Sequence, residues 1–262
     1  MNIYKRELRG NIKSIIGWLA AICGFGTMYM SFFPVFRDDY KTFLKYMDDM
    51  PDVMKEALKI NINTLGTIMG YFAFTLTIVS LLAAIQSCNL GVAVLSREER
   101  EKTADFLLTK PVSRCYIFGS KVLSAMTVFI INTIVYTTVM FAVMSLIGDS
   151  FSKKTLLLLT FSVFLLQMMF FAIGIFISML LKKVKAVLPI SLGIVFLFYA
   201  VNAFLVPQHE YLRYITPFSY FLPMDIIGNG YELKFVIACT VVIITLITGA
   251  YVLYKKRNIH AV

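Results

Sequence analysis

Long apolar blocks that contain no carboxylate are the feature that most constrains this sequence. A bilayer core about 30 Å thick takes roughly 20 apolar residues of helix to cross. The chain has six blocks of that length, and 59% of its residues are hydrophobic while only 15% are charged. Because backbone groups in hydrocarbon must be hydrogen-bonded within the protein, each block is expected to form a helix. The sequence therefore predicts an all-α integral membrane protein.

The predicted spans belong to a single transmembrane domain over residues 1–262. The six spans are residues 14–36, 62–95, 116–147, 155–181, 186–206 and 233–254. The second block is longer than one perpendicular crossing requires, so its helix is expected to tilt or to project from the bilayer. A signal peptide is the competing interpretation of the first block. Its apolar stretch, however, exceeds the usual length of about 7–15 residues.

Basic residues cluster on one side of the predicted spans. Most of the 25 Lys and Arg residues lie in residues 1–13, 97–121, 182–185 and 255–257. The positive-inside rule places these segments and both termini in the cytoplasm. The net charge of +10 then reflects topology, and we expect membrane lipid rather than nucleic acid as a partner. The expected location is the cell membrane of a bacterium, as a multi-pass protein.

Two segments at the predicted cytoplasmic surface have amphipathic character. Residues 1–13 carry four bases and place Ile3, Tyr4 and Leu8 on one side, which predicts a short interfacial helix. Residues 97–109 are mostly good helix formers, and Pro111 ends that helix. The charged face of this second helix comprises Arg97, Glu98, Arg100, Glu101, Lys102 and Asp105. A solvated loop is the alternative interpretation, and Ser113 is placed to cap the following helix.

The segment between the last two spans, residues 207–232, is too apolar for a solvated loop and too often interrupted by proline for a span. Short helices that enter the outer leaflet part-way fit it best, because non-helical backbone at that depth must pack on protein. The candidate residues of this re-entrant segment are Pro217, Phe218, Tyr220, Phe221 and Pro223.

Polar and glycine residues inside the spans are candidates for helix packing or for a translocation path, and both roles stay open. Amides hydrogen-bond between helices, and a Gly-x-x-x-Gly pattern lets two helices approach closely. The candidates are Gly66, Gly70, Gln86, Asn132, Gln167 and Asn202.

No catalytic or metal-binding pattern is visible. The sequence has no Gly-Lys dipeptide, which excludes a P-loop, and its four Cys and two His are not spaced as metal ligands. No carboxylate falls within a predicted span, which argues against a proton-driven transporter. We expect a protein that is not an enzyme, contains no metal and takes any transport energy from another chain.

Two stretches resemble the permease subunit of an ABC type 2 transporter. The first is the run Ser96–Arg114, with its Leu-Leu-x-x-Pro-Val-Ser-Arg ending, and the second is Ile215–Phe221 before the last span. With six spans and internal termini, the resemblance covers nearly the whole chain. Within the family, the chain resembles Gram-positive export permeases for bacitracin and other antimicrobial peptides.

The resemblance implies a division of labour between chains. Two permease chains, identical or different, form the path, and two separate ATPase chains bind ATP and Mg. Residues 1–13 would be the interfacial elbow helix, and the charged face of the 97–109 helix would be the coupling contact with the ATPase. A second contact would involve Lys182, Lys183 and Lys185. The cargo would be an amphiphilic peptide, an antibiotic or a lipid-like compound.

Two other functions remain as alternatives. A membrane scaffold without transport activity is compatible with the residues. An autonomous channel or secondary transporter would show intramembrane charge or an internal repeat, and neither is visible in the sequence.

Overall fold

The computed structural model describes residues 3–40, 62–100, 113–181 and 183–256. Within these ranges all regular elements are helical and no strand occurs. The α-helices are α1 (Ile3–Ser31), α2 (Phe33–Asp38), α3 (Ile62–Leu65), α4 (Ile68–Arg100), α5 (Arg114–Ile147), α6 (Lys153–Leu180), α7 (Val187–Ala200), α8 (Pro217–Tyr220), α9 (Pro223–Asn229) and α10 (Leu233–Lys256). A π-helix, Val201–Leu205, continues α7, and a 3-10 helix, Glu210–Tyr214, precedes α8.

Six helical stretches in the described residues are long and apolar enough to cross a membrane, as the sequence predicts. They are Ile3–Asp38, Ile68–Arg97, Arg114–Ile147, Lys153–Leu180, Val187–Leu205 and Leu233–Lys256. The all-helical class and the number of candidate spans are thereby confirmed.

The N-terminal segment is not a separate helix. α1 runs for 29 residues without interruption, so the basic residues 3–13 form the first turns of the first candidate span. The sequence contains no proline in this stretch that would end a helix before residue 14. An interfacial location for these turns stays a prediction.

The start of the second block differs from the predicted continuous helix. A turn at Gly66 and Thr67 separates α3 from α4. Thr67 Oγ1 caps α4 by accepting from the Gly70 amide at 3.1 Å, and it donates to the Thr64 carbonyl at 2.7 Å. A Cβ on Gly70 would lie 1.9 Å from that carbonyl oxygen, so only glycine fits. Gly66 therefore lies in the turn and Gly70 in the first turn of α4, so the two glycines do not share one continuous helix. A contact of this Gly-x-x-x-Gly pattern with another helix stays a prediction.

Two helix backbones approach each other closely between α4 and α6. A Cβ on Gly91 of α4 would lie 2.5 Å from the carbonyl oxygen of Phe171 in α6. A Cβ on Gly174 of α6 would lie 2.6 Å from the carbonyl oxygen of Cys88 in α4. Each of these two helices has 67% of its most apolar stretch buried, against 22% or less for the other candidate spans. α4 and α6 are therefore the centre of the bundle.

Both described ends of the chain lie at the same end of the bundle. Arg114, at the start of α5, donates to the carbonyl oxygens of Tyr254 at 3.2 Å and Lys255 at 3.1 Å in α10. Lys121, further along α5, contacts Glu7 of α1. We call this the terminal end. Ser113 accepts a hydrogen bond from the Tyr116 amide at 3.2 Å, which confirms the predicted cap of α5.

We predict that Gly174→Ala destabilises the protein because its methyl group meets a backbone carbonyl that cannot rotate away. Overpacking of this kind costs about 1–3 kcal/mol, so the melting temperature in detergent should fall. Gly193→Ala in α7 is the matched control, since nothing lies within 4 Å of its added Cβ. Equal melting temperatures for the two variants would contradict the assigned α4–α6 contact.

Candidate functional site

Three of the four predicted span amides meet in the middle of the bundle. Gln86 Oε1 of α4 accepts from Asn132 Nδ2 of α5 at 2.8 Å and from Gln167 Nε2 of α6 at 3.1 Å. All three side chains are buried, with 4% or less of each residue exposed. We call them the amide cluster. An interhelical hydrogen bond in a membrane is worth about 0.6–2 kcal/mol, so the cluster helps to hold three helices together.

Two buried polar atoms beside the amide cluster stay unpaired within the described residues. They are Asn132 Oδ1 and the hydroxyl of Tyr136, one helical turn further along α5. Tyr136 packs against α1, where a Cβ on Gly26 would lie 2.8 Å from its ring. The Tyr136 hydroxyl thus lies where the amide cluster borders α1.

The fourth amide, Asn202, lies away from the cluster in the π-helix after α7. Its Oδ1 accepts a hydrogen bond from the Ser219 hydroxyl of α8, and Ser219 Oγ lies 2.6 Å from Thr216 Oγ1. Ser219 and Thr216 are fully buried. π-Helical turns are uncommon and frequently mark functional sites. Here the turn ties the fifth candidate span to the short helices that follow it.

A cavity of about 320 Å³ lies among α4, α6, the α7 end and the short helices α8 and α9. Its size falls within the range of about 300–1,000 Å³ that ligand pockets occupy. Aromatic, aliphatic and proline side chains form most of the wall, and the polar groups are hydroxyls, one amide and one carboxylate. The lining residues are Phe74, Thr77, Ile78, Ser80, Ser162, Leu166, Tyr199, Asn202, Ala203, Pro217, Phe218, Phe221, Leu222, Pro223, Met224 and Asp225.

The structure separates Asn202 and most candidate residues of the re-entrant segment, which line the cavity, from Tyr220, which does not. Asn202 and four residues of the predicted re-entrant segment, Pro217, Phe218, Phe221 and Pro223, line the cavity. Tyr220 does not. It is buried, donates to the Tyr214 carbonyl at 2.6 Å and packs its ring 5.3 Å from that of Phe235.

Sequence reasoning missed several wall residues. Ser162 of α6, Tyr199 of α7 and Asp225 of α9 were not predicted, although all three line the cavity. Nothing in their spacing along the chain signals the cavity, because each comes from a different helix. On α4, by contrast, Phe74, Thr77 and Ile78 repeat at helical spacing and share one face.

Arg213 holds the short helices together. Its Nη2 lies 3.1 Å from Asp225 Oδ2 and 3.0 Å from Glu232 Oε1, and its guanidinium lies 4.6 Å from the Phe235 ring centroid. Lys234 also binds Glu232 at 2.7 Å, and this hydrogen bond lowers the pKa of the Glu232 carboxyl. The segment is thus a folded cap over the cavity, tied to the start of α10. Its short helices agree with the predicted pattern, and their depth in a membrane stays a prediction.

The structure describes only some of the residues that are predicted to contact the ATPase. α4 continues to Arg100, so the helix predicted from residue 97 begins as an extension of the second span. Arg97 donates from Nη1 to Asn11 Oδ1 of α1 at 3.2 Å. The side chains of Glu98 and Arg100, and all of Glu101, Lys102, Asp105 and Lys182, lie outside the described residues.

The second predicted contact lies at the terminal end as well. Lys183 and Lys185 are exposed in the connection between α6 and α7. Val184, between them, is buried with Val92 of α4 in one apolar cluster. The structure therefore brings this basic turn to the same end of the bundle as the end of α4.

We predict that Gln86→Leu lowers the melting temperature more than Asn132→Leu does. Gln86 accepts two hydrogen bonds, so its loss leaves two buried donors without an acceptor, at a cost of about 1 kcal/mol each. Thermal unfolding in detergent measures the difference, and exposed Gln208→Leu serves as the polar-to-apolar control. A larger effect for Asn132→Leu would show that Gln86 does not hold the cluster together.

The comparison with known families accounts for nearly the whole chain. Residues 1–259 match the family described as ABC-2 family transporter protein. No curated protein is similar enough in sequence to be matched. The match includes all six candidate spans, the cavity and the terminal end, and a family match of this extent implies association with ABC ATPase components. The chain belongs to the ABC-2 transporter family and is a membrane protein with a permease role in an ABC transporter.

Proposed function

We propose that this chain is the permease subunit of an ATP-driven exporter in a bacterial cell membrane. It forms the translocation path with a second permease chain, identical or different. Two separate ATPase chains bind ATP and Mg and carry out hydrolysis, while this chain performs no catalysis. The lack of a P-loop in the sequence supports this division of labour.

The cavity under the short helices is the observation that carries the proposal. Its wall is mainly aromatic and aliphatic, with hydroxyls, the Asn202 amide and the Asp225 carboxylate interspersed. Such a surface suits an amphiphile, because apolar groups contact the wall while a few polar groups fix its orientation. The cargo we propose is an amphiphilic peptide, an antibiotic or a lipid-like compound, in line with self-protection against antimicrobial peptides.

α4 provides a mechanical link between the cavity and the terminal end, where we propose that the ATPase binds. Phe74 and Thr77 line the cavity near one end of this helix, Gln86 holds the amide cluster, and Arg97 lies at the terminal end. A continuous helix transmits displacement as a rigid body. ATP-driven movement at the terminal end would therefore shift the cavity between two arrangements.

Filling the cavity should block transport. We expect Ala203→Trp to reduce ATP-dependent uptake of a fluorescent antimicrobial peptide into inside-out vesicles about tenfold, because the indole occupies the space that the cargo needs. The ATPase should still co-purify, since residue 203 is distant from the terminal end. Ala20→Trp, on an exposed position of α1, is the matched control. Equal transport by both variants would remove the cavity from the path.

Reversing charge on the coupling helix should separate the ATPase from the permease. We expect Glu98→Lys/Glu101→Lys to abolish ATPase association while insertion stays normal, because both residues lie outside the predicted spans. Exposed Asp39→Lys, following α2, is the control. Affinity purification in mild detergent with mass spectrometry measures the outcome and also shows whether the second permease is the same chain.

An unchanged complex would show that this charged face does not bind the ATPase. If the wild-type chain retained no ATPase under conditions that preserve other ABC complexes, the scaffold function would replace the proposed one.

A further inference from the structure

A buried ion pair lies at the terminal end, although the sequence predicts no carboxylate within a span and places Lys121 among the cytoplasmic bases. Lys121 Nζ of α5 lies 3.2 Å from Glu7 Oε1 of α1, and their side chains are 1% and 8% exposed. Lys121 also donates to the Val94 carbonyl oxygen of α4 at 2.6 Å. The sequence placed Glu7 in an interfacial segment, but the continuous α1 carries it into the bundle.

The burial of these charges is not explained by stability alone. Removing two charges from water costs about as much as their attraction returns, so an apolar pair of similar volume is often at least as stable. Lysine near a span end commonly extends toward water instead. Glu7 Oε2 is buried and has no hydrogen-bond partner within the described residues. Unlike an apolar pair, the charged pair fixes the position of α1 relative to α4 and α5 through directional contacts.

The position of the pair indicates what that geometry fixes. Residues 101–112 connect the end of α4 to the start of α5. Val94 lies about two turns before the end of α4, and Lys121 lies about two turns after the start of α5. The Lys121 ammonium binds the Glu7 carboxylate of α1 and the Val94 carbonyl oxygen of α4. It therefore joins the end of α4 and the start of α5 to α1.

A second set of contacts repeats this arrangement. Arg97, in the last turn of α4, donates to Asn11 of α1. The Arg97 side chain packs closely on α1, because a Cβ on Gly10 would lie 3.2 Å from Arg97 Nη1. Tyr4 of α1 lies 2.9 Å from Thr127 of α5 through their hydroxyls. The first turns of α1 therefore bind both helices that carry the predicted coupling segment.

We infer that Glu7 and Lys121 are positioning residues for energy coupling. They hold α1, the end of α4 and the start of α5 as one body, so that a force on the coupling segment moves all three helices. The inference rests on the proposed function, in which the 97–109 helix binds the ATPase. Without the pair, the segment still binds the ATPase, but its movement is absorbed locally.

The test is Glu7→Leu/Lys121→Met, which replaces both charges by apolar groups of similar volume. Single variants leave a buried charge unpaired and are expected to unfold, whereas the double variant should keep its melting temperature. The complex with its ATPase is reconstituted in proteoliposomes. We expect normal ATPase co-purification and about tenfold less antimicrobial peptide transported per ATP hydrolysed.

Arg37→Gln/Asp149→Asn is the matched control, since it removes an ion pair of 2.7 Å at the opposite end of the bundle. This control should transport normally per ATP. A stable double variant with wild-type transport per ATP would show that Glu7 and Lys121 have only a structural role, and would overturn the inference alone. Absence of any ATPase from the wild-type complex would overturn the proposed function and the inference with it.

Discussion

The close contact of α4 with α6 is the interaction on which the rest of the structure depends. In a bilayer the lipid tails are as apolar as the helices, so association relies on close packing and interhelical hydrogen bonds. Gly91 and Gly174 allow the two backbones to meet, and Gln86 and Gln167 join the same pair of helices by a hydrogen bond. Further along, both helices contribute to the cavity wall. Packing and the candidate site therefore share one scaffold.

Polar groups inside the bundle fall into layers with different chemistry. The amide cluster in the middle is uncharged and exchanges hydrogen bonds among three helices. The terminal end contains the Glu7–Lys121 pair, while the cap over the cavity is held by Arg213. Neutral groups suit the deepest layer because an unpaired charge there is costly, whereas charges near the ends fix the position of helices. The Glu7–Lys121 pair lies at the end where force is proposed to enter.

Much of the architecture follows from the sequence because it depends on local rules. Six apolar blocks predict six candidate spans, and all six are present. Ser113 caps α5, and the proline-rich residues 207–232 form short helices, since caps and proline act on their own neighbours. The second block is not one continuous helix, because the Thr67 cap starts α4 between Gly66 and Gly70. The pattern shows the spacing but not whether the helix is continuous.

The sequence by itself determined that this chain is a helical membrane protein with six candidate spans, because the length and apolar character of each block suffice. Only the tertiary structure decided which residues meet. Glu7 and Lys121 are distant in the chain, as are Gln86 and Gln167, and the cavity draws residues from several helices. The spacing of residues along a helix shows which of them share one face, but not which other helix packs against that face. Neighbours are set by how all the helices pack together, which no local pattern encodes.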